Sequence, residues 1–235
     1  MPIEGTVGRA VLFDIDGTLV NAGPLGAEVF DRAVEAVLGQ LPAARVFMSG
    51  KTDPLIVREY LQALGLGGAL LPRVLARLEH EMAAAASNLP ESGHALPGVT
   101  ELLETLADDE RLHLSVLTGN IAPNAAIKLG AFGLDKWLDL ETGAYGSDNE
   151  DRAQLVRVAL DRLAALRGVH LVPGQAWVVG DTPRDYEAAR AAGAHSVLVA
   201  TGRFTVTELE QLGADAVLAD LTRTDTVVEL LTADL

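Results

Sequence analysis

Two aspartates, Asp14 and Asp16, stand one residue apart where the apolar run "VLF" gives way to "DIDGT". Carboxylates that close repel, and each raises the other's pKa. A bound cation, a reaction that consumes one carboxylate, or solvation at a loop would offset the repulsion. Two later segments end in groups of the same kinds. "HLSVLTGN" closes on Thr118, Gly119 and Asn120, and "AWVVGDTPRD" closes on Asp181 and Asp185. The three segments supply four carboxylates, a hydroxyl, an amide and glycine-bearing turns with free backbone N–H groups, those around Gly17 and Thr18 included. Oxygen-only donors suit Mg²⁺, which prefers octahedral oxygen coordination. Hydroxyl, amide and turn N–H groups suit phosphate oxygens. A carboxylate can attack phosphorus and form an aspartyl-phosphate, and a second carboxylate two residues on can protonate the leaving oxygen.

These groups meet only if the fold brings the three segment ends together. Each segment reads as a short buried strand ending in a turn. After residue 91, strand patterns alternate with helical ones: "GVTELLETLAD", "HLSVLT", "PNAAIKLGAFG", "DRAQLVRVALDRLAALRG", "AWVVGD", "PRDYEAARAAG", "HSVLVAT". Such alternation predicts βαβ units and a parallel sheet, and ligands of an open parallel sheet bind beyond the carboxyl ends of its strands. "WLDLE" is read as one further short strand. Residues 21–90 read as helices with no strand. One of these helices, "DPLIVREYLQALG", is expected to take Asp53 as its N-cap and Pro54 as its first residue. The simplest organisation is an α/β core of residues 1–20 and 91–235 with a helical domain, 21–90, inserted after the first strand. "VNAGP" and "NLPESGHALPG" are the expected joints.

Composition narrows the function classes. The chain has 235 residues, 49% of them hydrophobic and 4% aromatic, which implies a sizeable aliphatic core. A formal net charge of −15 argues against a nucleic-acid partner and against an anionic membrane surface. With no cysteine, disulfides, thiolate catalysis and Cys-ligated zinc are excluded. No signal peptide or long apolar span is visible, so a cytoplasmic protein is expected. The five histidines are scattered without ligand spacing. "GLGG" follows a helix rather than a strand, so it is not read as a dinucleotide loop.

Asp-x-Asp-Gly-Thr, then a strand-end Thr, then Gly-Asp-x-x-x-Asp resembles the motif set of the haloacid dehalogenase (HAD) superfamily. "GKTDPLIVREYL", "LPGVTELLETL", "LTGN" and "GDTPRDYEAARAAG" resemble its phosphoglycolate-phosphatase-like members, so the likeness runs through the whole chain. The resemblance implies a Rossmann-like open parallel sheet flanked by helices, an inserted all-helical cap, and the first strand lying between the strands that bear the other two motifs. It implies Asp14 as nucleophile and Asp16 as general acid and base. Thr118 would be the phosphate-binding hydroxyl, with Gly17, Thr18, Gly119 and Asn120 around the substrate. Asp14, Asp16, Asp181 and Asp185 would hold Mg²⁺, Asp16 through its backbone carbonyl. Lys128 is the better match for the cation that braces the phosphate. Arg152 sits where some relatives place a lysine, without the usual Lys-Pro pair. Ser49, Gly50, Lys51, Thr52 and Asp53 ("SGKTD") could face the site and touch the leaving group, where Lys51 could pair with a carboxylate or second phosphate.

The activity implied is a Mg²⁺-dependent phosphatase acting on a small phosphorylated metabolite, phosphoglycolate-like, with no nucleic-acid or membrane partner. Other activities share parts of the pattern: a 2-haloacid dehalogenase, which would have no use for Asp16; a phosphonate hydrolase, which would use a cap lysine such as Lys51; a sugar phosphomutase; and, from a different class, a phospho-accepting signalling module. Single residues also carry structural readings. Thr118 could cap the helix near Pro123 and Asp185 could favour a helix N-terminus. Lys128 could be a solvated helix residue, and "SGKTD" an ordinary capping loop.

Overall fold

Four apolar segments of the chain, 10–13, 114–118, 176–180 and 196–199, are buried along their whole length. That is what a parallel sheet covered by helices on both faces requires. The structure is a computed structural model, and it describes residues 7–44, 46–233 and 235. Its strands are β1 (Arg9–Phe13), β2 (Val20–Asn21), β3 (His94–Ala95), β4 (Leu112–Thr118), β5 (Ala144–Tyr145), β6 (Ala176–Gly180), β7 (His195–Val199) and β8 (Ala216–Leu218). The helices are α1 (Leu25–Leu38), α2 (Asp53–Ala63), α3 (Leu71–Ala85), α4 (Leu89–Ser92), α5 (Val99–Ala107), α6 (Ala122–Ala131), α7 (Leu155–Arg167), α8 (Pro183–Ala192), α9 (Val206–Glu210) and α10 (Thr224–Thr232).

Six strands form a parallel sheet in the order β5-β4-β1-β6-β7-β8. β1 therefore lies between β4 and β6, as the resemblance implied. Phe13 is level with Val116 on one side and Val179 on the other. β1 stops there, β4 runs on two residues to Thr118 and β6 one residue to Gly180, so all three strands end at the same edge. Side-chain alternation splits the sheet between two layers. Val11, Phe13, Trp177 and Val179 pack with α5, α6 and α10. Ala10, Leu12, Ala176 and Val178 pack with α7 and α8.

A separate apolar cluster joins α1, α2 and α3 through Val29, Phe30, Val34, Ile56, Val57, Tyr60, Leu61, Val74, Leu78 and Met82. This is the helical cap, and it rests against Ile127, Ala131 and Phe132 at and just beyond the C-terminal half of α6. The stretch is not strand-free at its borders. β2 pairs antiparallel with β3, Val20 with Ala95 and Asn21 with His94, so the two chain crossings are zipped together. Each crossing is too short to form a sheet alone, and only the return of the second past the first supplies the partner. "WLDLE" is not a strand: Asp135–Trp137 is a 3₁₀ turn and the chain joins the sheet only at β5. Trp137 and Leu140 pack on the core from this turn, which accounts for the apolar spacing that suggested a strand.

Candidate active site

Gly17 and Thr18 turn the chain directly after β1. Gly17 has φ +87°, and a Cβ there would meet the Asp181 carboxylate, so this position needs glycine on both counts. The turn leaves Asp14 buried and level with the end of β6, its N–H donating to the Val179 carbonyl at 2.8 Å. Asp16 points outward, its side chain 44% exposed.

Two cations from different elements engage the two aspartates. Lys128, in the last turn of α6 and buried, reaches both oxygens of Asp16 at 2.8 and 2.6 Å and the Asn120 amide oxygen at 2.8 Å. Asn120 in turn donates to Asp16 and to the Thr118 hydroxyl, each at 2.8 Å. Thr118 caps no helix: α6 begins after Ile121 with no side-chain cap. Arg152, in the 3₁₀ turn ahead of α7, bonds Asp14 at 2.9 Å and also bonds Asp185 and the Leu117 carbonyl. Lys128 and Arg152 thus both stand in the cavity, each on a different carboxylate set. Lys128 is not a solvated residue. Arg152 reaches the cluster although the chain lacks the expected Lys-Pro pair.

Asp185 serves two ends. One oxygen meets Arg152 and the other accepts from the Thr182 N–H and hydroxyl at 3.0 and 2.7 Å, closing a capping box on α8. The helix-end reading and the cluster reading hold together. Asp181 is buried at the end of β6, contacts Thr18 Oγ at 3.5 Å, and forms no ion pair among the described residues.

Oxygens of Asp14, Asp181 and Asp185 all lie within 4.8 Å of one another. Burial, with the charges of Asp185 and Asp14, drives Asp181 well above the usual carboxylate range. Asp14 is also raised: burial dominates, Arg152 opposes it, and Asp185 and Asp16 add to it. In Arg152, burial works against the charge, but Asp14 and Asp185 overcome it and hold the guanidinium firmly protonated. Three buried carboxylates against one guanidinium leave negative charge uncompensated. An all-oxygen donor set of that sign fits Mg²⁺.

The cap closes the cavity from the other side. A Cβ on Gly119 would collide with the Lys51 carbonyl, and Asp53 N–H donates to the Gly119 carbonyl at 2.7 Å. Phe30, Met48, Ser49, Lys51, Asp53 and Ile56 line the cap side of a space of about 180 Å³. The Lys51 ammonium is 2.6 Å from Glu59 of the same cap.

Asp53 lies in the "SGKTD" stretch that could face the site, but sequence reasoning assigned it no role of its own beyond capping. It is the first residue of α2 rather than its cap, which is Thr52. Its carboxylate is buried and accepts from the Ile121 N–H at 2.8 Å, across the cap–core boundary. Burial raises its pKa to about 7 despite the opposing charge of nearby Lys128. In sequence, an Asp-Pro opening a helix reads as local capping. Only the docking of α2 against the turn before α6 reassigns it.

Comparison with known proteins identifies the family. The haloacid dehalogenase-like hydrolase family matches residues 11–199. Phosphoglycolate phosphatase of Rhodospirillum rubrum is 32% identical over 218 residues, which cover 90% of this chain and 87% of that one. Tyrosine-protein kinase PtkA of Mycobacterium tuberculosis is 27% identical over 197 residues, 83% of this chain and 62% of that one. The crystal structure of a hydrolase from Pseudomonas syringae has the same fold, with a TM-score of 0.72 at 24% identity over 95% of this chain and 99% of the other. On the family match, the motif-bearing strand ends and the shared fold, the chain belongs to the haloacid dehalogenase-like hydrolases.

Proposed function

We propose that this hydrolase is a Mg²⁺-dependent phosphatase that cleaves a small phosphate monoester through an aspartyl-phosphate on Asp14. The observation that carries the reading is the convergence at one sheet edge of Asp14, Asp16, Thr118, Lys128, Asp181 and Asp185. The 32% identical relative bears the name of a phosphatase.

In this reading Asp14 Oδ attacks phosphorus and the ester P–O bond breaks. Asp16 gives its proton to the departing oxygen, then takes one from the water that attacks the aspartyl-phosphate. That second step releases inorganic phosphate and restores Asp14. Lys128 and Asn120 hold Asp16 in one orientation, and the Thr118 hydroxyl and the N–H groups of the 118–120 turn receive phosphate oxygens. Arg152 keeps Asp14 and Asp185 in register. Asp14, Asp181 and Asp185, with the Asp16 carbonyl, would hold Mg²⁺, which supplies charge neutralisation between carboxylate and phosphate. A space of about 180 Å³ is below the ~300 Å³ at which drug-sized ligand pockets begin, so it sets a small substrate.

The test is phosphate release from p-nitrophenyl phosphate. We expect turnover with Mg²⁺, none in EDTA, and loss of at least about 10³-fold in Asp14→Asn with the fold intact, since an amide cannot act as the nucleophile. Full activity in chelator, or an active Asp14→Asn, defeats the proposal.

A further inference from the structure

The cap side of the cavity carries information about the alcohol part of the substrate. Among the described residues, three lining side chains are cationic, and each already faces a carboxylate: Arg152 those of Asp14 and Asp185, Lys128 that of Asp16, and Lys51 that of Glu59. The first two sit on the core side, where the phosphate would bind. Among the described residues, Lys51 is the cap's only cation in the lining, and Glu59 neutralises it at 2.6 Å from within α2. Phe47 flanks the same ammonium, 5.5 Å from ring centre to Nζ. The rest of the described cap side is the apolar Phe30, Met48 and Ile56, the glycines Gly26 and Gly50, the neutral hydroxyl of Ser49 and the carboxylate of Asp53. Asp53 makes no ion pair among the described residues; its partner is the Ile121 amide.

A second anion on the substrate would therefore meet mainly apolar walls, one neutral hydroxyl (Ser49) and a like charge, and to gain a cation from the cap it would have to take Lys51 from Glu59. Like charges brought together away from water are strongly disfavoured. A hydroxyl, in contrast, can donate to a carboxylate such as Asp53, and its carbon chain can rest on Phe30 and Ile56.

Building on the phosphatase reading, we infer that the substrate is the monophosphate of a short neutral alcohol, hydroxyl-bearing and without a carboxylate or second phosphate, and that Asp53 and the Lys51–Glu59 pair enforce this choice. The monophosphates of small polyols and of reduced sugars belong to this chemical class.

A matched pair isolates the charge: 2-hydroxyethyl phosphate and phosphoglycolate differ by CH₂OH against carboxylate. With Mg²⁺ at pH 8, kcat/KM is expected to favour 2-hydroxyethyl phosphate by on the order of tenfold or more. Asp53→Asn should shrink that ratio by a similar factor. Glu59→Gln, on the half-exposed flank of α2, should free Lys51 and also move the ratio toward phosphoglycolate. A wild-type ratio at or below one overturns the inference and leaves the phosphatase reading standing, as does a ratio that neither variant moves. Failure to hydrolyse either ester, or p-nitrophenyl phosphate, defeats the phosphatase reading itself.

Discussion

Arg152 lies between Asp14 and Asp185, and Lys128 holds both oxygens of Asp16. Each cation offsets the cost of a carboxylate that the proposed reaction needs in a defined orientation. Asp53 has no such cation bonded to it, and burial lifts its pKa to about 7. Its unfolded value is near 3.8, so the folded chain binds the proton more tightly. The ionisation cost is absent below about pH 4, grows as pH rises, and is fully present above about pH 7. Asn at this position keeps an oxygen acceptor for the Ile121 N–H and carries no charge. Asp53→Asn, without metal, should therefore raise Tm relative to wild type, and the gain should be larger at pH 8 than at pH 5. Thermal melts at the two pH values check this; a gain that is equal at both, or larger at pH 5, would show that Asp53 is not held in a desolvated site.

The turn between β4 and α6 joins the two halves of the molecule. It carries Thr118 and Asn120, its Gly119 carbonyl accepts from Asp53 N–H, and its Ile121 N–H donates to the Asp53 side chain. α2 is thus docked by its first residue on the segment that would hold the phosphate. Gly119 has no room for a side chain, because the Lys51 carbonyl fills the position its Cβ would take. Gly119→Ala should push the cap away from the 118–120 turn while leaving the apolar clusters of core and cap untouched. We expect kcat/KM to fall by more than about tenfold with little change in Tm. Wild-type kinetics in Gly119→Ala would mean that the cap need not seat on this turn for turnover. β2 pairs with β3 at the crossings and Ser92 Oγ donates to the Ala22 carbonyl at 3.0 Å, and we propose residues 20–23 and 92–95 as the joint about which the cap would move. We read residues 21–90 as the unit that moves and 1–20 with 91–235 as the one that stays.

The molecule as a whole carries a net charge of −15 and concentrates four acidic side chains at one sheet edge, with Asp14, Asp181 and Asp185 buried. A divalent cation that binds the folded chain and not the unfolded one stabilises it by mass action, about 2.7 kcal/mol at one hundred times its Kd. Mg²⁺ should raise Tm by several degrees in a saturable way, and EDTA should reverse the rise. Asp181→Asn should weaken this response more than a change at Asp185, which the Thr182 cap and Arg152 already engage. A Tm that Mg²⁺ leaves unmoved would separate the acidic cluster from metal binding. No helix among the described residues is long and apolar enough to cross a membrane.

That Asp14, Asp16, Thr118, Asp181 and Asp185 stand together at strand ends was legible in the chain, because each sits within a few residues of a strand end, where local pattern and turn chemistry suffice. The fold class was legible for a related reason: buried parallel strands are apolar along their whole length, and helices between them keep a different period. Three matters depended on contacts between segments far apart in sequence. "WLDLE" has strand-like spacing, but its apolar side chains are used to pack a turn on the core. Lys128 and Arg152 looked like rivals for one role, and the return of α6 and of the turn before α7 to the same edge gives each its own carboxylates. Asp53 and Lys51 were ambiguous for the same reason. A carboxylate at a helix start and a lysine in a loop have local readings that cost nothing in sequence. Only the seating of the cap on the 118–120 turn buries the first, while the fold of the cap itself sets Glu59 of α2 beside the second.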